Sequence, residues 1–316
     1  MNISTLLGKE GKPSFSFEVL PPQKGKGFNA LRQTIERLMP YSPNYINITN
    51  HHSEHVYTEL PDGTFRRDTV RRRPGTIAVA AAIRETFKLP VVPHVLCKGF
   101  SKEDIEYMLL DLQFLGIENL LLLRGDKARD EKNFQPTTGG YAHTTELQEQ
   151  VNAFNEGRFL DGSHIECPAH FHYGVACYPE KHEEAPNPSE DFLFFKEKVK
   201  LGADYGVTQL FYDNAVYFRF VEHCQAEGVN VPIVAGIKPF TSLKQLSLVP
   251  KTFHCDLPEA LVKEAQKCRS DEDAKQLGIE WGIAQCRELI AAGVPGLHFY
   301  TMGKGKSVEA IVKSIF

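Results

Sequence analysis

Glu18, Thr49, His94, Arg124, Asp126, Tyr178, Glu180, Gln209, Asp213, Lys238 and Tyr300 share one placement: each lies at or near the end of a short apolar run. The set contains carboxylates able to move protons, cations and amides able to hold anions or carbonyls, and rings able to wall a flat ligand. Alternation sorts them further. In Ser14–Leu20, Phe15, Phe17 and Val19 share one face, while Ser14, Ser16 and Glu18 share the other. The aromatic face suits packing against helices, which turns Glu18 the other way. A carboxyl group held there loses hydration, so its pKa rises and it can serve as a general acid. The alternative is a structural ion pair with Lys238 or Arg124.

Arg124 and Asp126 fall on one face with Leu120 and Leu122, and Gly125 between them lets backbone approach a ligand closely. The plainer reading is that these two charges only neutralise their surroundings. Along Phe171–Glu180, one face carries His172, Gly174, Ala176, Tyr178 and Glu180, with small residues leaving room for a flat ring and His172 read as structural. His170 with His172, and His51, His52 and His55, are the only metal-like groupings. Neither supplies a convergent ligand set, so no metal is expected. Arg66, Arg67, Arg71, Arg72 and Arg73 could grip a pyrophosphate, or could form a solvated helix face. Neither the G-x-G-x-x-G nor the P-loop pattern occurs, so a dinucleotide would bind without a Rossmann turn.

Positioning these residues requires eight strands: Ser14–Leu20, Tyr45–Asn50, Val91–Cys97, Asn119–Asp126, Phe171–Glu180, Tyr205–Asp213, Pro232–Phe240 and Gly296–Thr301. Helix signals lie between them. Ala30, Leu31, Ile35, Leu38 and Met39 follow helical spacing, Ser101 and Asp104 form a capping box, and Gly116 stops that helix. Further helices are expected over Asp191–Leu201, Asn214–Glu227, Pro258–Lys267 and Asp271–Ala292. His51–Gly75, Lys127–Gly140 and Glu183–Ser189 read as loops. Eight alternating units predict an α/β fold, a (β/α)8 TIM barrel with its active site at the C-terminal ends of the strands.

The bulk numbers exclude several classes. With 316 residues, 42% hydrophobic, the chain can bury a large core without a metal or disulfide staple. A formal net charge of −4 gives no electrostatic reason for a nucleic-acid or anionic-membrane partner. The seven cysteines form no C-x-x-C pair, no secretory signal is evident, and no apolar stretch is long enough to span a bilayer. A cytoplasmic protein with reduced thiols and one domain over residues 1–316 is the expectation. Periodicity and spacing go no further than a barrel enzyme.

Seven ordered motifs go further. They are Phe15-Ser-Phe-Glu-Val-Leu-Pro-Pro22, Pro93-His-Val-Leu-Cys97, Leu123-Arg-Gly-Asp126, Ala176-Cys-Tyr-Pro-Glu-Lys-His182, Gly202-Ala-Asp-Tyr-Gly-Val-Thr-Gln209, Gly236-Ile-Lys-Pro239 and His298-Phe-Tyr-Thr301. Collinear from about Ser14 to Thr301, they resemble the methylenetetrahydrofolate reductase family, a flavin-dependent branch of TIM barrels. The resemblance implies reduction of 5,10-methylenetetrahydrofolate to 5-methyltetrahydrofolate in one-carbon metabolism. NADH or NADPH would supply the hydride through FAD, with ping-pong kinetics. It implies that Glu18 protonates the folate amine nitrogen as the five-membered ring opens, and that Asp126 favours the cationic iminium. Gln209 matches the amide that folate and nicotinamide use in turn, and Tyr300 and Lys304 join it as implied substrate contacts. The implied FAD contacts are Thr49, His94, Arg124, Gly125, Asp126, Tyr141, Ala142, Tyr178, His182, Asp191 and Lys198.

The chain departs from the family pattern in three places. Asn50-His-His52 stands where a small aromatic-Gly-Ala turn is usual, Gly303-Lys304 stands where Asn-Arg is common, and no regulatory C-terminal domain is expected. The family's short form often self-associates, so a homo-oligomer is expected. Two other classes fit a flavin barrel: an amino-acid oxidase of the proline dehydrogenase type, and a reductase subunit fed by an iron–sulfur partner. The chain has no cluster-type cysteine run of its own, so the second would take its electrons from another subunit.

Overall fold

The computed structural model describes residues 2–127, 131–303 and 305–316, with His55 described by its backbone alone. Eight parallel strands close into a barrel: β1 (Ser14–Val19), β2 (Tyr45–Ile48), β5 (Val91–Leu96), β6 (Asn119–Leu123), β7 (His172–Cys177), β8 (Tyr205–Thr208), β9 (Ile233–Ile237) and β10 (Gly296–Tyr300). These are the eight runs read from the sequence, each ending earlier than expected. Pro179 cannot donate to a ladder, which shortens the seventh strand; Gly125, at φ +84°, turns the chain away after Leu123.

The segment expected as a loop over His51–Gly75 instead holds an antiparallel hairpin, β3 (Glu54–Glu59) with β4 (Phe65–Val70). Its turn is a Pro61-Asp-Gly sequence in which Asp62 accepts from Thr64 N at 3.0 Å and Gly63 takes φ +81°. The arginine run is therefore not a helix face. Arg66 and Arg67 lie on a strand, and Arg71, Arg72 and Arg73 follow it.

Helices α1 (Asn29–Leu38), α2 (Thr76–Phe87), α3 (Lys102–Phe114), α4 (Thr144–Asn155), α5 (Pro188–Lys200) and α6 (Asn214–Ala226) surround the barrel. After β9 come α7 (Gln245–Phe253), α8 (Glu259–Lys267) and the long α9 (Asp271–Ala291), and α10 (Lys306–Ile315) follows β10. The Ser101–Asp104 capping box on α3 and the Ser270 cap on α9 both form. Strand alternation divides the core as expected. Phe15, Phe17, Leu120, Leu122, Val175 and Phe299 pack outward against helices, whereas Tyr45, Val92, Leu121, Tyr205, Val207 and Val234 fill the interior. Ile3 plugs the base, its amide held by Asn119 Oδ1 at 2.9 Å.

Small residues make room for rings inside the barrel. A Cβ on Gly174 would come within 2.5 Å of the Tyr205 ring, and one on Gly236 within 2.3 Å of the Thr208 carbonyl oxygen and 2.7 Å of the Tyr300 ring. On α9 the constraint is harder, because a Cβ on Gly278 would lie 1.7 Å from the Phe240 carbonyl oxygen, which is backbone. Gly282 faces only the tip of the Ile311 side chain, 2.6 Å away. Urea denaturation should therefore show Gly278→Ala losing at least ~2–3 kcal/mol. Gly282→Ala should lose far less, because Ile311 can rotate and alanine favours the helix by about 1 kcal/mol. Equal losses would show that backbone contact at Gly278 is not the constraint.

Candidate active site

A cavity of about 990 Å³ opens at the C-terminal ends of the strands. It brings together Glu18, Thr49, His94, Arg124, Gly125, Asp126, Tyr178, His182, Asp191, Lys198, Gln209 and Tyr300, contributed by elements separated throughout the sequence. Ala142 lies instead in an adjoining depression with Phe134, His143 and Arg124. Tyr141 lines neither: it is buried in the outer core beneath Lys102. Lys304 lies outside the described residues. Glu180, Asp213 and Lys238 are not among the lining residues. Asp213 caps α6, and Glu180 accepts from the Asp256 amide at 3.1 Å.

Glu18 is 8% exposed, and its pKa is raised to about 8 by burial alone. An ion pair would have held it down, so the structural-pair reading fails. Arg124 instead pairs with Glu184 at 2.5 Å, and no cation among the described residues reaches the Glu18 carboxyl. Thr301 Oγ1 donates to the Glu18 carbonyl at 2.7 Å, and the parallel register sets Glu18 beside Tyr300. At neutral pH the group is a protonated acid facing the cavity.

Asp126 reaches the cavity by a different route from the one alternation implied. Leu120 and Leu122 face the helices, so a continued strand would have turned Asp126 outward too. The strand ends at Leu123, and the positive φ of Gly125 turns the following residues inward. The position a Gly125 Cβ would occupy is 3.0 Å from Lys98 Cβ. Burial raises the Asp126 pKa, Glu183 raises it further, and Arg124 opposes both.

The β7–α5 corner is tightly bonded. Lys198 Nζ donates to the Ala176 carbonyl at 2.6 Å, and the His182 amide donates to Asp191 Oδ2 at 3.1 Å. Tyr178 and His182 meet edge to face at 4.8 Å. Three imidazoles in the cavity are held neutral by burial: His182 with its pKa lowered to about 4, and His94 and His298 each lowered to about 3. Asn47 Nδ2 lies 3.3 Å from His94 Nε2, and Ser16 Oγ lies 2.9 Å from His298 Nδ1. His172 sits at the other end of β7, 3.7 Å from Asp204, away from the cavity.

Sequence reasoning missed Lys98, Phe134, Glu184 and Phe194. Lys98 is buried and holds Glu131 at 2.6 Å and the Gln135 carbonyl at 2.7 Å, bringing the 131–137 segment over the site. Phe134 there lies 4.3 Å beneath the Arg124 guanidinium. Lys98 and Glu131 are more than thirty residues apart in the chain, so no local pattern signals their pairing. Phe194 lines the cavity from α5 while 58% exposed, and its place within an Asp-Phe-Leu-Phe-Phe run resembles ordinary helix core.

Comparison with known proteins identifies the family. The family profile of methylenetetrahydrofolate reductase matches residues 3–315. The chain is 28% identical to a probable methylenetetrahydrofolate reductase (NADH) of Oryza sativa subsp. japonica, over 97% of this chain and 48% of the rice protein. It is 26% identical to a 5,10-methylenetetrahydrofolate reductase of Pectobacterium carotovorum subsp. carotovorum, over 98% of this chain and 93% of that protein. It thus spans about half the length of the plant relatives and nearly all of the bacterial one. A solved Clostridium thermocellum protein, described as binding two copies of 5-methyl-5,6,7,8-tetrahydrofolic acid, shares the fold with a TM-score of 0.61 at 14% identity over 100% of this chain and 99% of that one. With this profile match over nearly its whole length, the chain belongs to the methylenetetrahydrofolate reductase family.

Proposed function

We propose that this barrel reduces 5,10-methylenetetrahydrofolate to 5-methyltetrahydrofolate with a reduced nicotinamide as donor and FAD as resident cofactor. One observation carries the reading within the family: an unpaired, buried Glu18, protonated at neutral pH, shares a cavity with Asp126 and Gln209. Such an acid suits a substrate whose C–N bond must break at an amine nitrogen.

The cavity wall fits FAD. Leu121, Leu123, Ala176 and Val207 make an apolar floor, Tyr178 and Phe194 add aromatic surface, and Gly125 contributes wall without a side chain. Arg124 and Lys198 would hold the phosphates, with Thr49, His94, His182 and Asp191 as polar contacts to the rest of the group. FAD, when bound, supplies the hydride-transfer chemistry.

The protein's own residues would do the following. Glu18 gives its proton to the folate amine nitrogen as the C–N bond electrons move onto that nitrogen. Asp126 in its ionised form, which Arg124 favours, stabilises the positive charge that develops on the substrate. Gln209, whose Oε1 accepts from the Leu210 amide at 2.9 Å, keeps its NH2 group available to orient a carbonyl or ring nitrogen.

Glu18→Gln should retain FAD and its bleaching by nicotinamide while losing folate reduction by ~10²–10⁴-fold. Single-turnover absorbance would read both halves, and parental folate reduction would refute the acid assignment. Because the reactive form is protonated, the folate half-reaction of the parent should fall as pH rises through about 8. Asp126→Asn should slow folate turnover with FAD still bound; unchanged folate kinetics would remove its electrostatic role.

The raised pKa also has a stability consequence. Between the ordinary carboxyl value of 4.5 and about 8, the folded state holds a proton that the unfolded state releases. This contribution is therefore fully present below 4.5 and is lost as pH rises through about 8. Urea denaturation of parent and Glu18→Gln at pH 5 and pH 9 should show the parent losing ground to the variant at the higher pH.

A further inference from the structure

One wall of the cavity comes from segments that the proposed chemistry does not use. Gln23 in the β1–α1 loop, Asn50, His51 and His52 after β2, and Glu54, Arg72 and Arg73 at the foot of the β3–β4 hairpin all line it. Backbone contacts tie the hairpin foot to the β1–α1 loop. The Lys24 amide donates to the Arg72 carbonyl at 2.6 Å, and Arg73 Nη1 donates to the Pro21 carbonyl. Pro21 stands three residues past Glu18, at most ~10 Å along the backbone, so the foot is pinned to the chain that leaves Glu18.

The lining cations differ in what they hold. Arg124 pairs with Glu184 at 2.5 Å, Lys127 with Glu183 at 3.1 Å and Arg72 with Glu54 at 2.6 Å. Lys198 belongs to the β7–α5 corner, bonded to the Ala176 carbonyl. Arg73 is half-buried, and no ion pair among the described residues includes it. One of its five N–H donors meets Pro21, which leaves donors for a carboxylate. His51 lies between it and the strand end, with Nε2 3.1 Å from Thr49 Oγ1. Burial, then Arg73, lowers the His51 pKa, so this imidazole brings no competing charge at neutral pH. Glu54, the acid of this wall, is already engaged by Arg72.

The chemistry of the reaction decides which end of the substrate comes here. The product keeps the transferred carbon on the pterin as a methyl group, so the nitrogen that Glu18 protonates and releases is the one bearing the benzoyl–glutamyl tail. That tail starts beside Glu18, and the wall leading out from Glu18 ends at Arg73. We propose that Arg73 grips a glutamyl carboxylate of the reduced folate, which makes the hairpin foot the subsite for the tail. The assignment rests on the folate reading above and deepens it.

The test uses the FAD-loaded enzyme with methylenetetrahydrofolate and with its diamide, in which both glutamyl carboxylates are replaced by uncharged amides of similar size. The parent should show a KM for the diamide ~10- to 100-fold higher, the worth of a charge-assisted hydrogen bond. Arg73→Met should bring that ratio close to one by raising the KM of the charged substrate. Arg73→Lys, which keeps the charge without the fork, should restore part of the ratio. Loss of the Pro21 tie alone would raise both KM values together and leave the ratio parental; that result would make Arg73 structural and overturn the assignment. A parent ratio near one, or an Arg73→Met enzyme in which only the nicotinamide KM rises, would overturn it as well. A parent that reduces neither folate overturns the folate reading, and this one with it.

Discussion

Closure of the sheet between β1 and β10 is the constraint on which the site depends. Ser14 to Glu18 run beside Gly296 to Tyr300, so the two ends of the chain complete one wall. On an open edge strand Glu18 would be hydrated and ordinary. Closed against β10, it is walled by Tyr300 and backed by Thr301, and its ionised form is disfavoured. The same seam holds Ser16 against His298 at 2.9 Å. The barrel interior below it is filled by rings lying over glycines, so little water can enter from beneath.

Within that enclosure, two carboxyl groups acquire different characters from their neighbours. Glu18 has desolvation and nothing to oppose it. Asp126 is also desolvated, but Arg124 acts against the shift while the chain turn at Gly125 holds it at the rim. The first is suited to carry a proton; the second keeps a cation near it that favours its ionised form. Burial keeps His94, His182 and His298 neutral, so the cavity's positive charge is confined to a few side chains. Arg124 is one of them, held between Glu184 and Phe134 by a segment that Lys98 ties down.

Much of this was legible in the sequence because barrel strands are buried on both faces. An apolar run interrupted by a charged residue at its end is then a sharp signal. All eight runs became strands, and most residues carried over by resemblance face one cavity. The misreadings have local causes. Alternation assigns a face only while the strand continues, so it mistook the route of Asp126, which lies beyond a left-handed glycine. The hairpin was hidden because its strands are polar and exposed, lacking the apolar alternation that reveals half-buried strands. Tyr141, two residues before its helix cap, turned into the outer core rather than the cavity, which sequence position alone does not reveal.

By itself, then, the sequence determined the number and order of the barrel units, the polar residues at the C-terminal ends of the strands and the family. Each of these is written in local pattern: apolar runs, caps, turns and short motifs. Tertiary structure decided the protonation of Glu18 and the Lys98–Glu131 tie across the site. Those properties depend on which groups come within a few ångströms after closure and how much water they lose. Such distances join residues far apart in the chain, where local pattern carries no information.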